Sequence, residues 1–418
     1  MVIEETLPSG MRLVTEAIHH VRSVTVGVWI THGSRHETDA ESGVAHFVEH
    51  MLFKGTTSRS AREIAQTIDS IGGQLDAFTA KEYAGYYIKV LDEHLPVAID
   101  LLGDMLLRPA LAPDDVLKEQ QVILEEIKMV EDAPDDLVHE LFAQQFWSKH
   151  PLGRPILGTP ETVTSFDSDG LRRYFSRTYI APNLVIAAAG HLDHQALKSL
   201  IERGFDQLPV GRRAPSTAPP AVTPGLAQRT KDIEQSHLCV GTPAYPQAHE
   251  NRHAMYVLNT ILGGSMSSRL FQHIREERGL AYAVFSNLTT YSDAGMITVY
   301  AGCASDKVSQ VVDLTLQELR ELRDTPVADD ELTRAKDHLK GSLMLSLENT
   351  SSRMSQLARH EIYFGRSFTL DEILAGIERI TADDVRRVAG DLFQDANLVA
   401  TVVGPQSSSP VTADQLRV

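Results

Sequence analysis

The chain has 418 residues, of which 42% are apolar, a length that exceeds one hydrophobic core and predicts two or three domains. Its formal charge of −17 and pI near 5.4 exclude nucleic acid as a main partner, because phosphate binding is driven by clustered Lys and Arg. The longest apolar runs fall short of the roughly 18 residues of a membrane span, so no membrane partner is expected.

The N-terminal stretch MVIEETLPSGMRLV predicts a strand, a turn and a second strand. It shows neither a signal nor a transit peptide, which predicts a cytoplasmic protein. Alternating patterns predict further strands, and AREIAQTIDSI predicts an amphipathic helix that begins with a capping box of Ser60 and Glu63. The stretch from Asp330 to Tyr363 also reads as long amphipathic helix.

The segment His46-Phe47-Val48-Glu49-His50 contains an inverted zinc-binding motif, HxxEH. On a helix, its two histidines share a face with Glu49, while Val44, Phe47, Val48 and Met51 form the opposite, apolar stripe. This arrangement predicts a catalytic zinc site that lines a cleft. The alternative is a solvated polar face.

Two histidines do not complete a catalytic zinc site, and the predicted helix DDVLKEQQVILEEIKMVED offers a third ligand. Glu126 and Glu119 border its apolar stripe, where they can reach a neighbouring helix. Glu125 points away from the stripe and is expected to be a solvated charge. We therefore predict Glu126 as the ligand and Glu119 as the carboxylate that supports the site.

The chain divides near its middle. Residues 209–225 contain five prolines and predict a linker between a metal-binding domain, 1–208, and a second domain, 226–418. Residues 168–190 match 382–404 at a constant offset, which indicates an internal duplication. Strands and helices alternate irregularly in both halves, so we predict an α+β fold that occurs twice, each copy a largely antiparallel sheet packed with helices. Cys239 and Cys303 lie in apolar runs and are predicted to be buried thiols rather than a disulfide.

These motifs resemble the pitrilysin and insulinase family of zinc metallopeptidases. The resemblance covers HFVEH, Glu126 in VILEEIKMVEDAPDD, the run PLGRPILGTPETV, and LGGSMSSRLFQHIREERGLAYAV in the second half. Within the family it is closest to the catalytic (beta) subunit of mitochondrial processing peptidase and its single-chain bacterial relatives. It extends over nearly the whole chain.

The resemblance implies a role for each matching residue. One Zn²⁺ per chain would be held by His46, His50 and Glu126, with Glu49 as general base and Glu119 as supporting carboxylate. Arg275 and Tyr282 match an arginine and a tyrosine that meet the substrate near the metal in this family, and both would act in catalysis and substrate binding. The stretch GGQLDAFTAKEYAGYY resembles the family's edge strand, on which an extended peptide adds, so its residues Asp76, Ala77 and Phe78 are expected to bind substrate. Relatives usually have Asn at the position of Asp76, and the effect of this change stays open.

The predicted function is that of a zinc endopeptidase acting on short or unfolded peptides. The second half has LNTILGG where a metal helix would stand and lacks HxxEH, so it is expected to be a metal-free copy. Because the family closes four such domains around substrate, we expect a homodimer in which Arg275 and Tyr282 face the partner's zinc; a heterodimer is the other possibility. The alternative function is a non-catalytic scaffold or peptide-binding subunit, since some members of the family are core subunits of a respiratory complex.

Overall fold

The computed structural model describes residues 2–212, 218–406 and 410–418. Its strands are β1 (Val2–Thr6), β2 (Arg12–Ala17), β3 (Ser23–Ile30), β4 (Gln74–Thr79), β5 (Ala84–Leu91), β6 (Leu184–Gly190), β7 (Gly225–Thr230), β8 (Ser236–Ala244), β9 (Ala281–Thr290), β10 (Gly295–Cys303) and β11 (Val399–Gly404). Its α-helices are α1 (Val44–Leu52), α2 (Ala61–Ser70), α3 (Leu95–Leu107), α4 (Pro113–Asp132), α5 (Pro134–Phe146), α6 (Pro160–Ser165), α7 (Ser168–Thr178), α8 (His194–Gly204), α9 (Arg252–Leu262), α10 (Val308–Asp324), α11 (Asp329–Ser346), α12 (Thr350–Phe364), α13 (Leu370–Glu378) and α14 (Ala382–Leu392).

The chain forms two compact units, each of which combines separate stretches of sequence. The first comprises Met1–Lys128, Arg154–Thr217 and Ser346–Ser367, and the second comprises Met129–Gly153, Ala218–Leu345 and Phe368–Val418. The contiguous bounds predicted from the sequence therefore need correction. Residues 129–153, with α5, belong to the second unit, and residues 346–367, with α12, belong to the first. Part of the predicted linker, 213–217, lies outside the described residues.

The first unit is built on a six-stranded sheet with the order β1-β2-β6-β3-β5-β4, in which β2 and β6 form the one parallel pair. One face carries the main core, where the even-numbered residues of β3, such as Val26 and Val28, meet α1, α2, α3, α7 and α8. On the other face Trp29 packs with Met354 and Leu357 of α12. Strand β4 ends the sheet and leaves one edge available for pairing.

The second unit is built on a five-stranded sheet with the order β7-β11-β8-β10-β9, in which β7 and β11 form the parallel pair. Helices α9, α10 and α14 cover one face. On the other face, Val138 and Phe142 of α5 pack with Cys239 and Tyr300. Both cysteines are free and buried, as predicted.

The two sheets repeat one design. The order β2-β6-β3-β5-β4 is reproduced by β7-β11-β8-β10-β9, and each sheet receives a helix on its second face from the opposite half of the sequence. The matching stretches 168–190 and 382–404 fold alike, because α7 and α14 are capped at equivalent positions by Asp167 and Thr381 and lead into the equivalent strands β6 and β11. The predicted α+β fold in two copies is confirmed.

One long predicted helix is broken in the structure. The stretch from Asp330 to Tyr363 contains α11 and α12, which are separated by residues 347–349. The side chain of Asn349 accepts a hydrogen bond of 2.9 Å from the backbone N–H of Ser351 and so caps a new helix. The break allows the two helices to pack in different units. No helix in the described part of the chain is long and apolar enough to cross a membrane.

Candidate metal centre

Helix α1 presents its polar residues on one side because its other side is buried. Val44, Phe47, Val48 and Met51 are at most 2% exposed and pack into the main core of the first unit. His46, Glu49 and His50 are only partly buried and lie on the side turned away from that core. The periodicity of the sequence predicted this division of the helix.

His46, His50 and Glu126 converge. The Nε2 atom of His46 lies 3.6 Å from Glu126 Oε2, and the Nε2 atom of His50 lies 3.5 Å from Glu126 Oε1. One atom from each residue can be chosen so that all lie within 4.8 Å of one another, and within the described ranges this is the one cluster of three or more His, Cys, Asp or Glu side chains with that property.

The donor set and its spacing suit zinc. Ligand atoms about 2.1 Å from a tetrahedral ion lie about 3.4 Å apart. Each histidine lies at a similar distance from one Glu126 oxygen, His46 from Oε2 and His50 from Oε1. Two imidazoles and one carboxylate leave the fourth position open, as in catalytic zinc sites. The residues present therefore fit a Zn²⁺ ion.

Glu125 and Glu126 have different surroundings although they are neighbours on α4. Glu126 is 34% exposed and faces the two histidines. Glu125 is 69% exposed and pairs with Lys128 over 2.7 Å on the solvent side of the helix. The difference arises because consecutive residues point about 100° apart on a helix.

His50 is oriented by a buried carboxylate. Glu119 is 3% exposed, and its Oε2 atom lies 3.0 Å from His50 Nδ1. Its Oε1 atom lies 2.6 Å from the ammonium of Lys54, which compensates the buried charge. A hydrogen bond at Nδ1 fixes the ring and leaves Nε2 directed at Glu126.

His46 lacks corresponding support within the part of the chain that the structure describes. Its Nδ1 atom is buried and has no hydrogen-bond partner there. Burial, followed by the charge of His50, lowers the pKa of His46 to about 3. The ring is therefore neutral near pH 7, which is the form that binds a metal.

Glu49 lies beside the three converging residues and is held by the edge strand. The hydroxyl of Thr79, the last residue of β4, donates a hydrogen bond of 2.5 Å to Glu49 Oε2. Burial raises the pKa of Glu49, whereas the Thr79 hydrogen bond and the charge of His50 lower it and the charge of Glu126 raises it further. A carboxylate that is more basic than usual is suited to accept a proton.

A cavity of about 300 Å³ adjoins the centre. It is lined by Glu49, His50, Phe53, Lys54, Leu75, Asp76, Ala77 and Glu119, so it lies between the end of α1 and the edge strand β4.

The predicted peptide-binding residues of β4 point to different faces of the sheet. Leu75 and Ala77 face the main core on the side of α1. Phe78 faces the opposite side, where its ring packs on Trp29 at a centroid distance of 5.2 Å. The Asp76 carboxylate accepts a hydrogen bond of 3.5 Å from Tyr87, which also packs on that side. The Asp76 carboxylate thus contacts Tyr87, while Asp76 also contributes to the lining of the cavity beside Glu49 and His50.

Arg275 and Tyr282 lie in the second unit and contact each other. Arg275 is in the π-helix Phe271–Glu276, and its guanidinium lies 4.9 Å from the centroid of the Tyr282 ring and 4.8 Å from that of Phe271. Tyr282 is the second residue of the edge strand β9, and 79% of its surface is exposed. Two aromatic faces therefore hold the arginine beside an exposed phenol.

Three contributors to these sites escaped the sequence analysis. Lys54 lies four residues after His50, just past the end of α1, and Phe271 lies four residues before Arg275. On a continuous helix this spacing signals a shared face. Thr79 gave no such signal, because it reaches Glu49 across the boundary between a strand and a helix.

Known proteins are similar to the chain over nearly its whole length. Residues 12–160 match the family model described as insulinase (peptidase family M16), and residues 165–339 match the model described as peptidase M16 inactive domain. An uncharacterised zinc protease of Bacillus subtilis is 43% identical over 410 residues, covering 98% of this chain and all of the relative. One of Streptomyces coelicolor is 43% identical over 411 residues, covering 96% of this chain and 89% of the relative.

A solved structure has the same fold. The crystal structure of a peptidase M16 inactive domain from Pseudomonas fluorescens superposes with a TM-score of 0.92 at 19% identity, covering 99% of this chain and 100% of that one. At this identity the likeness concerns the fold alone.

Proposed function

Since the chain belongs to the insulinase family of peptidases, family M16, we propose that it is a zinc-dependent endopeptidase of short or unfolded peptides. The observation that carries the proposal is the convergence of His46, His50 and Glu126 beside Glu49. The names of its relatives as zinc proteases agree with it.

Each residue of the centre has a defined task in this proposal. His46, His50 and Glu126 hold one Zn²⁺ ion, while Glu119 and Lys54 keep the His50 ring in place. Zinc, when bound, supplies Lewis-acid chemistry, since it polarises the scissile carbonyl and lowers the pKa of water toward about 7.

Glu49 moves the proton. Thr79 occupies its Oε2 atom, so we assign Oε1 to accept the proton of the attacking water. As the peptide bond breaks, the same oxygen returns this proton to the leaving amine. The raised pKa of the buried Glu49 carboxyl supports both transfers.

The substrate is held by main-chain pairing. An extended peptide adds to the open edge of β4 by backbone hydrogen bonds, a mode that depends little on sequence. The cavity beside Ala77 and Phe53 then takes one side chain. A chain that must lie extended along an edge strand is a short or unfolded one.

The remaining substrate contacts come from a second subunit. We assign Arg275 to substrate binding and the Tyr282 hydroxyl to the carbonyl oxygen on which negative charge develops. In a homodimer these residues serve the partner's zinc centre, which agrees with the high exposure of Tyr282. The same reasoning allows a heterodimer, which a mass measurement of the purified protein separates from the homodimer.

Digestion of a peptide library by the purified chain tests the activity. We expect cleavages, read by mass spectrometry, that vanish with a chelator and return with Zn²⁺. Glu49→Gln should bind one zinc per chain yet cut roughly 10²–10⁴ times more slowly, whereas the solvent-exposed Glu125→Gln should cut normally. If the chain binds no stoichiometric zinc and shows no chelator-sensitive cleavage, it is not this enzyme and fits a non-catalytic subunit.

A further inference from the structure

Glu37 precedes the metal helix and caps it. Its side chain is 4% exposed, its Oε2 atom accepts the backbone N–H of Gly43 at 2.8 Å, and its Oε1 atom accepts the backbone N–H of Ala45 at 2.8 Å. These donors belong to the start of α1, where backbone N–H groups have no partner within the helix. One buried carboxyl group therefore satisfies two of them.

Helix α1 cannot be capped in the ordinary way. Its N-cap is Gly43, with φ 93°, a conformation that side chains rarely adopt. A Cβ atom at this position would lie 2.7 Å from the carbonyl oxygen of Leu157 and 2.8 Å from Gly158 Cα. Because no side chain fits at the N-cap, the capping oxygens come from a residue six positions earlier.

The two histidines of α1 depend on different supports. His50 is fixed at its ring by Glu119. The buried Nδ1 atom of His46 has no partner among the described residues, so no hydrogen bond from them at that atom sets its ring. Its place is set by the backbone at the start of the helix, and the adjacent residue Ala45 is one of the two that Glu37 holds.

Glu37 is itself anchored on the side away from the helix. Its carbonyl oxygen accepts a hydrogen bond of 2.8 Å from Arg154, whose own carbonyl accepts one from Lys81. Burial raises the pKa of Glu37 to about 8, against the lowering effect of the Ala45 and Gly43 N–H groups and, after them, of the charges of Lys81 and Arg154. The carboxyl group, through the hydrogen bonds at both of its oxygens, thus connects a fixed loop to the first turn of the metal helix.

We propose that Glu37 is a positioning residue of the zinc site, which places His46 for metal binding through the first turn of α1. The inference rests on the proposed function, since it concerns the metal that this function requires. It predicts that Glu37 controls zinc affinity and not only the stability of the fold.

Zinc affinity of the full chain, measured by competition with a chromophoric chelator, tests the inference. Glu37→Gln keeps the size of the side chain but replaces one accepting oxygen by an amide that cannot accept. We expect its zinc dissociation constant to rise about 10–100-fold, as for other groups that orient a ligand without touching the metal. Glu63→Gln is the matched control, because Glu63 caps α2, which carries none of the three converging residues.

The outcomes separate the two proposals. If the unchanged chain binds no stoichiometric zinc, the proposed function fails. The inference is overturned if the unchanged chain binds zinc and the zinc dissociation constant of Glu37→Gln lies within threefold of that of the unchanged chain. Glu37 then has only a structural role, whatever the melting temperature of the zinc-free variant. Should Glu37→Gln fail to fold, Glu37→Asp decides, because it keeps both carboxyl oxygens but is one methylene too short to reach both donors. We expect weakened zinc binding for this variant, and unchanged binding overturns the inference.

Discussion

Thr79 donates a hydrogen bond to Glu49 across the boundary between the edge strand β4 and the metal helix α1. The strand to which we assign the peptide is thereby tied to the carboxylate to which we assign the proton. Any shift of the end of β4 relative to α1 changes the position of the general base.

Removing the Thr79 hydroxyl should slow catalysis without removing zinc. Thr79→Val keeps the shape of the side chain and leaves a partly buried Glu49 carboxylate without its donor. A hydrogen bond to a charged group is worth about 1.5–3 kcal/mol, so we expect kcat to fall roughly 10–100-fold. Steady-state kinetics and zinc content measure this, with Thr67→Val on α2 as control, since its hydroxyl bonds only to a backbone carbonyl among the contacts described. An unchanged kcat would show that the contact is incidental.

The neighbours Glu125 and Glu126 form a matched pair for the third ligand. Glu126→Gln should weaken zinc binding by more than the roughly 10–100-fold typical of residues that only support a ligand. Glu125→Gln removes the same charge from the solvent side of the same helix and should leave zinc affinity unchanged. Chelator competition measures both. Equal effects would mean that local charge, and not ligation, sets the affinity.

Lys54 should affect zinc through Glu119. Lys54→Met removes one of the two partners of a carboxylate that is 3% exposed, the ammonium at Glu119 Oε1. Without that partner Glu119 is less firmly placed against His50 Nδ1, so zinc affinity should fall about 10–100-fold. In a double-mutant cycle with Glu119→Gln the two losses should be less than additive. Strict additivity would mean that Lys54 acts elsewhere, for example on substrate in the adjoining cavity.

The sequence predicts those parts of the site that a single helix determines. HxxEH places three side chains on one face, and the edge of the apolar stripe separates Glu126 from Glu125, because both follow from the helical period. The pairing of Thr79 with Glu49 depends on how a strand and a helix approach each other, which no local period encodes. The same limit explains α12: its apolar stripe predicts a packed helix, but nothing in it specifies the sheet that contains Trp29, more than 300 residues earlier.

The zinc-free chain should lose stability as the pH falls below about 6.5, with His32 as one cause. Burial, followed by the charges of His36 and Arg177, lowers the pKa of His32 to about 3. Below about pH 6.5 the unfolded chain protonates this ring, whereas the folded chain keeps it neutral. The contribution of His32 to the free energy of unfolding is therefore complete above about pH 6.5 and is lost as the pH falls toward 3. The loss is about 1.4 kcal/mol per pH unit for one proton.

His32→Phe isolates this contribution. It keeps a ring stacked on His36, whose centroid lies 4.4 Å away, but cannot take up a proton. Between pH 6.5 and 5 the free energy of unfolding, measured by denaturant titration, should depend on pH less steeply than in the unchanged chain. The difference between the two slopes should correspond to the uptake of up to about one proton on unfolding. His20→Phe at an exposed position is the control. An unchanged slope for His32→Phe would mean that this ring is protonated in the folded chain.

Complementation between two inactive variants tests the shared active site. Glu49→Gln lacks the base, and Tyr282→Phe lacks the phenol that we assign to the developing negative charge. If each site takes Glu49 from one subunit and Tyr282 from the other, a hybrid dimer contains one intact site and one doubly defective site. Free exchange at equal concentrations makes half of the dimers hybrid, so the mixture should regain roughly a quarter of the activity of the unchanged chain. A mixture of Glu49→Gln with the double variant Glu49→Gln/Tyr282→Phe contains no intact pair and should regain none. The dimer should be verified by its mass. If the mixture then has only the mean activity of the two separate variants, Tyr282 either serves the zinc centre of its own chain or takes no part in the site.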